Sequence, residues 1–139
     1  MMPEQLEALI RYRIEQAHET LREADILFAQ SALRGTVNRA YYAMFYALLA
    51  LLATQQLGTS KHSGAISLFD REFVKTGIFS RDLSRSLRMA FDRRQSYDYG
   101  EIIEVDEPTT RESVDNAKTF VSEIEKYLRS QGYLVDDVK

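Results

Sequence analysis

Length, composition and charge limit this chain to one domain without thiol chemistry. Its 139 residues suffice for one domain and are too few for two of ordinary size. The absence of cysteine excludes disulfides, thiolate metal sites and cysteine nucleophiles. A net charge of −3 gives no overall attraction to nucleic acid, so any contact with a phosphate backbone must be local.

Neither a membrane span nor a signal peptide is predicted. The longest apolar run, residues 40–53, is shorter than the ~20 residues that cross a bilayer. The first residues carry charge throughout and lack the apolar core of a signal peptide. We therefore expect a cytoplasmic protein without membrane contact.

The spacing of apolar residues predicts helices along most of the chain. The segments with this spacing are 4–30, 34–56, 62–76, 81–98 and one that starts after Asp106 or Glu107 and stops at Gly132.

Glycine, serine and proline separate these helices. Gly58 is expected to stop the second helix in a left-handed conformation, and Ser80 to cap the fourth. Pro108 suits the first turn of the last helix. Residues 100–106 could form a strand or a loop, and a loop is favoured because no other strand exists to pair with them.

Together these elements predict an all-α fold, an up-and-down bundle of four long helices and one short helix. Residues 1–139 form a single domain with an ordered core over about 5–130, and residues 133–139 are expected to be a frayed tail.

The second helix has more apolar surface than one side of a bundle requires. One stripe contains Val37, Tyr41, Met44, Phe45, Leu48 and Leu52. A second stripe, turned around the axis, contains Tyr42, Tyr46, Leu49 and Ala53. The helix is either enclosed by its own bundle or shared between a bundle core and a dimer mate. In the second case Tyr42, Tyr46 and Leu49 are the predicted interface, since tyrosine tolerates a surface that is apolar at one end and wet at the other.

The two histidines have different surroundings. His18 lies among Glu15, Gln16 and Glu19 and is expected on the surface. His62 lies in a small polar turn before the third helix, where it either belongs to a capping loop or joins Lys61 in an anion site at the helix N-terminus. Without paired-carboxylate or HExxH spacing, no metal centre is predicted.

The fourth helix concentrates positive charge, at Arg81, Arg85, Arg88, Arg93 and Arg94. These arginines could contact phosphate. A solvated face with ion pairs one turn apart is at least as good an interpretation for the first three.

Arg94 differs from its neighbours, because the steps from Leu83 through Leu87 and Ala90 place it where a core residue would be expected. A charge at the end of a buried stripe must find partners. Asp98, one turn later, can supply one as a purely structural pair. The alternative is a guanidinium held at a cleft or interface to bind phosphate.

At this point three ordered motifs resemble the HEPN domain family (higher eukaryotes and prokaryotes nucleotide-binding). They are "NRAYYAMFYALLALL", "KHSGAISLFDREFVKTG" and "AFDRRQSYDYG", and the resemblance covers about residues 5–130. It implies a helical bundle that forms a homodimer. Many relatives are toxins of toxin–antitoxin modules whose partner is a small MNT-type nucleotidyltransferase.

The resemblance also implies a site. Active members of the family are endoribonucleases that need no metal or other cofactor, and their motifs meet at the dimer cleft. Their signature is an arginine, a polar residue and a histidine, which Arg94 and Gln95 match in the first two positions. Tyr99 stands in the position of the histidine after four intervening residues. Tyrosine, with a pKa near ~10, is a poor base, although it can donate a hydrogen bond.

Two functions from different classes remain open at this stage. In the first, the chain is a toxin component that binds RNA or a nucleotide at a dimer cleft and cleaves RNA with Arg94, Asp98 and Tyr99. Lys61, His62, Arg93 and Gln95 would then contribute to binding. In the second, the chain is a non-catalytic nucleotide-binding subunit that docks a nucleotidyltransferase partner.

Overall fold

A computed structural model describes residues 3–58, 61–99 and 104–135, with the side chain of Tyr99 outside the description. The described residues form an all-helical bundle, as predicted. Its elements are α1 (Pro3–Ala29), α2 (Leu33–Ala53), α3 (His62–Phe69) continued by a π-helical turn (Asp70–Val74), α4 (Arg81–Tyr99) and α5 (Glu107–Ser130). None of these helices is long and apolar enough to cross a membrane.

Helix α2 is the centre of the bundle, in contact with α1, α3, α4 and α5. Every residue of the first of its two predicted stripes is buried, and Tyr41, Met44 and Leu48 have no exposed surface. Burying a side chain of this size contributes about 1.5–3 kcal/mol, so this stripe is a principal source of the fold's stability. Because α4 crosses the first half of α2, polar residues on the two helices face each other there.

The predicted cap of α4 is confirmed, and the structure shows a second side-chain cap at the start of α5. Ser80 Oγ accepts a hydrogen bond from the Leu83 amide at 3.2 Å, and Asp106 Oδ1 accepts one from the Thr109 amide at 2.7 Å. Each bond satisfies one of the amides that a helix leaves unpaired at its N-terminus. These two caps fix where α4 and α5 begin.

The end of α2 differs from the prediction. The helix stops at Ala53, and the left-handed residue is Gln56 with φ of 53°, whereas Gly58 does not have a positive φ. The turn forms earlier because the Leu57 amide returns to the carbonyl of Leu52 at 3.0 Å. Of the segment predicted as a loop, residues 104–106 have no regular structure, and 100–103, including the proposed terminator Gly100, lie outside the described residues.

The tail prediction needs correction for residues 133–135. Leu134 is 2% exposed and its amide donates to Glu7 Oε1 at 3.0 Å. Its carbonyl accepts from Arg129 at 2.6 Å, and the Val135 carbonyl accepts from Arg11 at 3.1 Å. This segment therefore packs across α1 instead of fraying, while residues 136–139 lie outside the described residues.

The second stripe of α2 is only partly covered. Tyr42, Tyr46 and Leu49 pack against the core but stay partly exposed, while Ala53 is buried. Hence α2 is not fully enclosed by the described part of its own bundle. This partly covered strip begins at Tyr42, where α4 crosses, and continues along α2 through Tyr46 to Leu49.

Candidate functional site

Arg94 lies where α4 crosses α2, and its side chain is 11% exposed. Its Nη2 donates to the hydroxyl of Tyr42 at 2.6 Å, and its Nε lies 3.5 Å from Asp98 Oδ2. The Asp98 pair expected from the one-turn spacing is therefore present. The contact with Tyr42 was not predicted, and it links the site to the strip proposed as an interface.

Aromatic rings support the guanidinium of Arg94. Its Cζ lies 5.6 Å from the ring centroid of Tyr41 and 5.2 Å from that of Tyr42. Cations within about 6 Å of an aromatic face are attracted to the ring electrons. The two rings therefore hold the charged group in one place, and the hydrogen bond and ion pair fix its orientation.

A second layer of polar residues holds Asp98. Asn38 Nδ2 donates to Asp98 Oδ2 at 2.8 Å, and Arg39 donates to Asn38 Oδ1 at 2.9 Å. Arg39 also pairs with Glu23 at 3.4 Å and lies 5.1 Å from the Tyr42 ring centroid. Asp98 is thus oriented by α2 as well as by Arg94.

Another arginine of α2 lies at the edge of this site. Arg34 Nη1 donates to the Tyr97 carbonyl at 2.8 Å, and its Cζ lies 5.9 Å from the Tyr97 ring centroid. Arg34, Arg39 and Arg94 bring three positive charges to one place, against the carboxylates of Asp98 and Glu23. The site therefore has a local positive excess in an acidic chain.

The sequence contained a signal for these missed residues. Arg34, Asn38, Tyr42 and Tyr46 follow one another at steps of four, and side chains at this spacing share one face of a helix. The face runs from polar to phenolic, and the polar end meets α4.

His62 reaches the same pair of tyrosines from the first turn of α3. The hydroxyl of Tyr41 lies 2.7 Å from His62 Nδ1, and the imidazole stacks on Phe45 with centroids 4.1 Å apart and planes 10° apart. Its centroid is 5.7 Å from those of both Tyr41 and Tyr42. The structure therefore brings His62, Tyr42, Arg94 and Asp98 together.

Burial and charge determine the protonation of this cluster. Burial raises the pKa of Tyr41 well above its usual range, although Arg94 opposes the rise. Burial and the positive charge of Arg94 lower the pKa of His62. At neutral pH the cluster therefore contains a protonated phenol, a neutral imidazole and a guanidinium.

The remaining predicted site residues lie elsewhere or outside the description. Arg93 turns towards α5, where it donates to Ser113 Oγ at 2.9 Å and pairs with Glu112 at 2.5 Å. Gln95 and Lys61 are exposed, Lys61 just before α3. The side chain of Tyr99 lies outside the described residues. Arg93 is thus not brought to the Arg94 cluster.

Ion pairs account for two of the other arginines of α4. Arg85 pairs with Asp82 at 2.8 Å, and Arg88 pairs with Asp70 at the π-helical turn. His18, on α1, bonds Glu125 of α5 at 2.6 Å and is remote from the cluster. In the ranges 3–58, 61–99 and 104–135, no group of three histidine, aspartate or glutamate side chains could hold a metal ion.

The fold and the cluster define a helical bundle with a group of charged and phenolic side chains where its second and fourth helices cross. The chain belongs to the HEPN domain family, whose model matches residues 10–129.

Named relatives share most of this length. A UPF0332 protein of Thermotoga maritima is 38% identical over 133 residues, 96% of each chain. Two proteins of Methanocaldococcus jannaschii, named "Putative toxin MJ0142" and "Putative toxin MJ0605", are 32% and 36% identical. The match covers 87% of this chain and 82% of the first, and 91% of this chain and 90% of the second. These relatives thus share the family and the approximate length of this chain, and two of them are named as putative toxins.

Proposed function

We propose that this chain is the toxin component of a toxin–antitoxin module, and that it binds RNA at the Arg94 cluster and cleaves it without a metal ion. The observation that carries the proposal is the fixed guanidinium of Arg94, held between two tyrosine rings, the Tyr42 hydroxyl and Asp98. The names of the two M. jannaschii relatives support the toxin assignment.

A guanidinium fixed in this way suits the recognition of a phosphate group. Its planar fork of donors matches phosphate oxygens, and it remains charged at all physiological pH values. Folding already restricts the side chain, so less conformational freedom is lost when the phosphate binds. Arg34 and Arg39 add positive charge nearby, which attracts a polyanion despite the negative net charge.

An aromatic ring beside the charges favours RNA over an isolated phosphate. Tyr97, on α4 and outside the strip on α2, is partly exposed, and its ring centroid lies 5.9 Å from Arg34 Cζ. Unstacked bases of single-stranded RNA bind on aromatic faces next to arginine or lysine side chains. A strand could therefore place its phosphate at Arg94 and a base on a neighbouring ring.

The partly exposed strip of Tyr42, Tyr46 and Leu49 supports a homodimer formed along α2. A second copy would cover the strip, and a two-fold axis there would bring two Arg94 clusters towards one cleft. We propose an MNT-type nucleotidyltransferase as the antitoxin partner, in line with the toxin names of the relatives. Co-purification of the chain with such a protein when both are expressed together tests this assignment.

Binding of labelled single-stranded RNA, measured by fluorescence anisotropy over a series of salt concentrations, tests the proposal. Arg94→Ala should weaken binding at least about tenfold and reduce the slope of log K against log salt by about 0.7, the value for one lost contact to a single strand. Arg94→Lys keeps the positive charge but loses the planar fork of donors, so its RNA affinity should lie between those of the wild type and Arg94→Ala.

Arg85→Ala is the matched control, because Arg85 lies on the same helix, is 71% exposed and pairs with Asp82. Equal effects of Arg94→Ala and Arg85→Ala would reduce the role of Arg94 to general charge and overturn the proposed site. RNA cleavage in the presence of a chelator then tests the catalytic part. Binding without cleavage would instead favour a non-catalytic subunit.

A further inference from the structure

His62 is held in a defined orientation at the Arg94 cluster. Stacking on Phe45 fixes the plane of the imidazole, and the Tyr41 hydroxyl at 2.7 Å engages Nδ1. Among the residues that the structure describes, none forms a hydrogen bond with Nε2, and the side chain is only half-buried. A histidine buried only for packing would have both nitrogens satisfied or covered.

The imidazole and the guanidinium flank the same two rings. The Tyr42 centroid lies 5.7 Å from that of His62 and 5.2 Å from Arg94 Cζ. The Tyr41 centroid is 5.7 Å from the imidazole and 5.6 Å from Arg94 Cζ. A phosphate bound by Arg94 would therefore have its adjoining ribose within the region that His62 borders.

We propose that His62 is the general base of RNA cleavage at this site, with Tyr41 as the residue that positions it. The inference rests on the proposed function, because it assumes that RNA binds at Arg94. It assigns the proton transfer to α3, an element different from the α4 helix that supplies the phosphate contact.

The reaction that this geometry serves is transesterification by the neighbouring 2′-hydroxyl. Nε2 takes the proton of the 2′-hydroxyl while the 2′-oxygen forms a bond to phosphorus. The bond from phosphorus to the 5′-oxygen breaks, and that oxygen takes a proton from water. The hydroxide left behind neutralises the imidazolium, so the products are a 2′,3′-cyclic phosphate and a 5′-hydroxyl, with no external reactant consumed.

Tyr41 can support both protonation states of the imidazole. A phenol donates or accepts a hydrogen bond, and burial keeps this one protonated at neutral pH. It accepts from Nδ1–H when Nε2 must be basic, and this bond persists when Nε2 is protonated. The lowered pKa of His62 keeps the imidazole unprotonated at neutral pH. The bond thus orients the ring without consuming the nitrogen that reacts.

The experiment compares cleavage and binding for wild type, His62→Asn and His62→Ala. The substrate is a DNA strand with a single ribonucleotide, in chelator, and the products are identified by mass spectrometry. Asparagine places an amide where Nδ1 lies and so keeps a group that can bond Tyr41 while removing Nε2. Cleavage should fall by about 10²–10⁴, the range for general acid–base catalysis, with RNA affinity changed less than threefold. His18→Asn, at the remote histidine, should leave the rate unchanged.

Two readouts separate proton transfer from a structural role. Added imidazole should restore part of the cleavage by His62→Ala, and it should not accelerate Arg94→Ala. The cleavage rate of the wild type should fall on acidification, at a pH below the ordinary histidine range. The residual rate of His62→Asn should not show this fall. The titratable and charged groups that face His62 are Tyr41 and Tyr42 from α2 and Arg94 from α4, and the raised pKa of Tyr41 keeps that phenol protonated over this range.

Each outcome decides a different statement. Wild-type rates in His62→Asn would overturn the inference and leave the proposed function intact. Lost cleavage without imidazole rescue, together with a lowered melting temperature, would assign His62 a packing role only and also overturn it. Wild-type protein that binds RNA without cutting it overturns both the inference and the catalytic part of the proposed function, and protein that does not bind RNA overturns the proposed function as a whole.

Discussion

Replacing Tyr42 by phenylalanine should reveal how much the Arg94 cluster depends on a single hydroxyl. The substitution removes the oxygen that accepts from Arg94 Nη2 at 2.6 Å and retains the ring beneath the guanidinium. It also leaves the ion pair between Arg94 and Asp98 in place. The perturbation is therefore confined to one charge-assisted hydrogen bond.

The environment of Arg94 sets the size of the effect. A hydrogen bond to a charged group contributes about 1.5–3 kcal/mol net. With the arginine side chain 11% exposed, water can replace the lost acceptor only in part. We expect Tyr42→Phe to lower the free energy of unfolding by about 1.5–2 kcal/mol. In an Arg94→Met background the hydroxyl has lost its donor, and the same substitution should change stability by less than about 0.5 kcal/mol.

Urea denaturation at one fixed protein concentration measures all four members of this cycle, so that differences in concentration do not alter any contribution from dimer dissociation. Tyr12→Phe is the matched control, since Tyr12 is 57% exposed and should tolerate the change within about 0.5 kcal/mol. An equal loss of stability from Tyr42→Phe in both backgrounds would refute the argument, because the hydroxyl would then act through something other than Arg94.

Further predictions concern the tail, the α5 cap and the α2 strip. Leu134→Ala should lower the free energy of unfolding by about 2–4 kcal/mol, because this side chain is 2% exposed. Val135→Ala, at a position 62% exposed, is the control and should change the free energy of unfolding, measured by urea denaturation, by less than about 0.5 kcal/mol. Asp106→Ala should lower the melting temperature by a few degrees, and Asp106→Asn much less, because both aspartate and asparagine cap helices. Hydrogen bonds from Thr109 lower the pKa of Asp106, so its contribution should be present above pH ~4 and lost as the pH falls through the depressed value, as a melting series in acid would show. Leu49→Asp should convert a dimer to a monomer by light scattering at micromolar concentration, and a wild-type monomer would contradict the dimer proposal.

The helices themselves could be predicted because their signals are local. Apolar residues at steps of three and four define each segment, and Ser80 and Asp106 mark helix starts through their own side chains. The stop after α2 was missed because the turn places Gln56, and not Gly58, in the left-handed region. The tail was missed for a different reason. Leu134 is buried by contacts with α1 at the opposite end of the sequence, and no local pattern encodes them.

In the candidate site, too, residues with a local sequence signal could be predicted, and contacts between distant segments could not. Arg94 stood out because a charge interrupts a leucine stripe, and Asp98 because one helical turn separates the two. The contact with Tyr42 and the Asn38 bond to Asp98 both depend on how α2 crosses α4, which the sequence did not give. The placement of His62 beside the same tyrosines depends in addition on where α3 begins. These long-range contacts had to be observed.

The same contacts explain why polar residues could be placed at this crossing without unfolding the bundle. An arginine in a core position is strongly destabilising when its charge lacks compensation. Here α4 supplies Asp98, and α2 supplies the Tyr42 hydroxyl and two aromatic faces. Asp98 in turn receives a hydrogen bond from Asn38, which Arg39 holds. Removing Asp98 or the Tyr42 hydroxyl leaves the charge of Arg94, which is 11% exposed, without one of its partners, so these three groups should act as a unit. The network therefore stabilises the crossing of α2 and α4 and also fixes the guanidinium before any phosphate arrives.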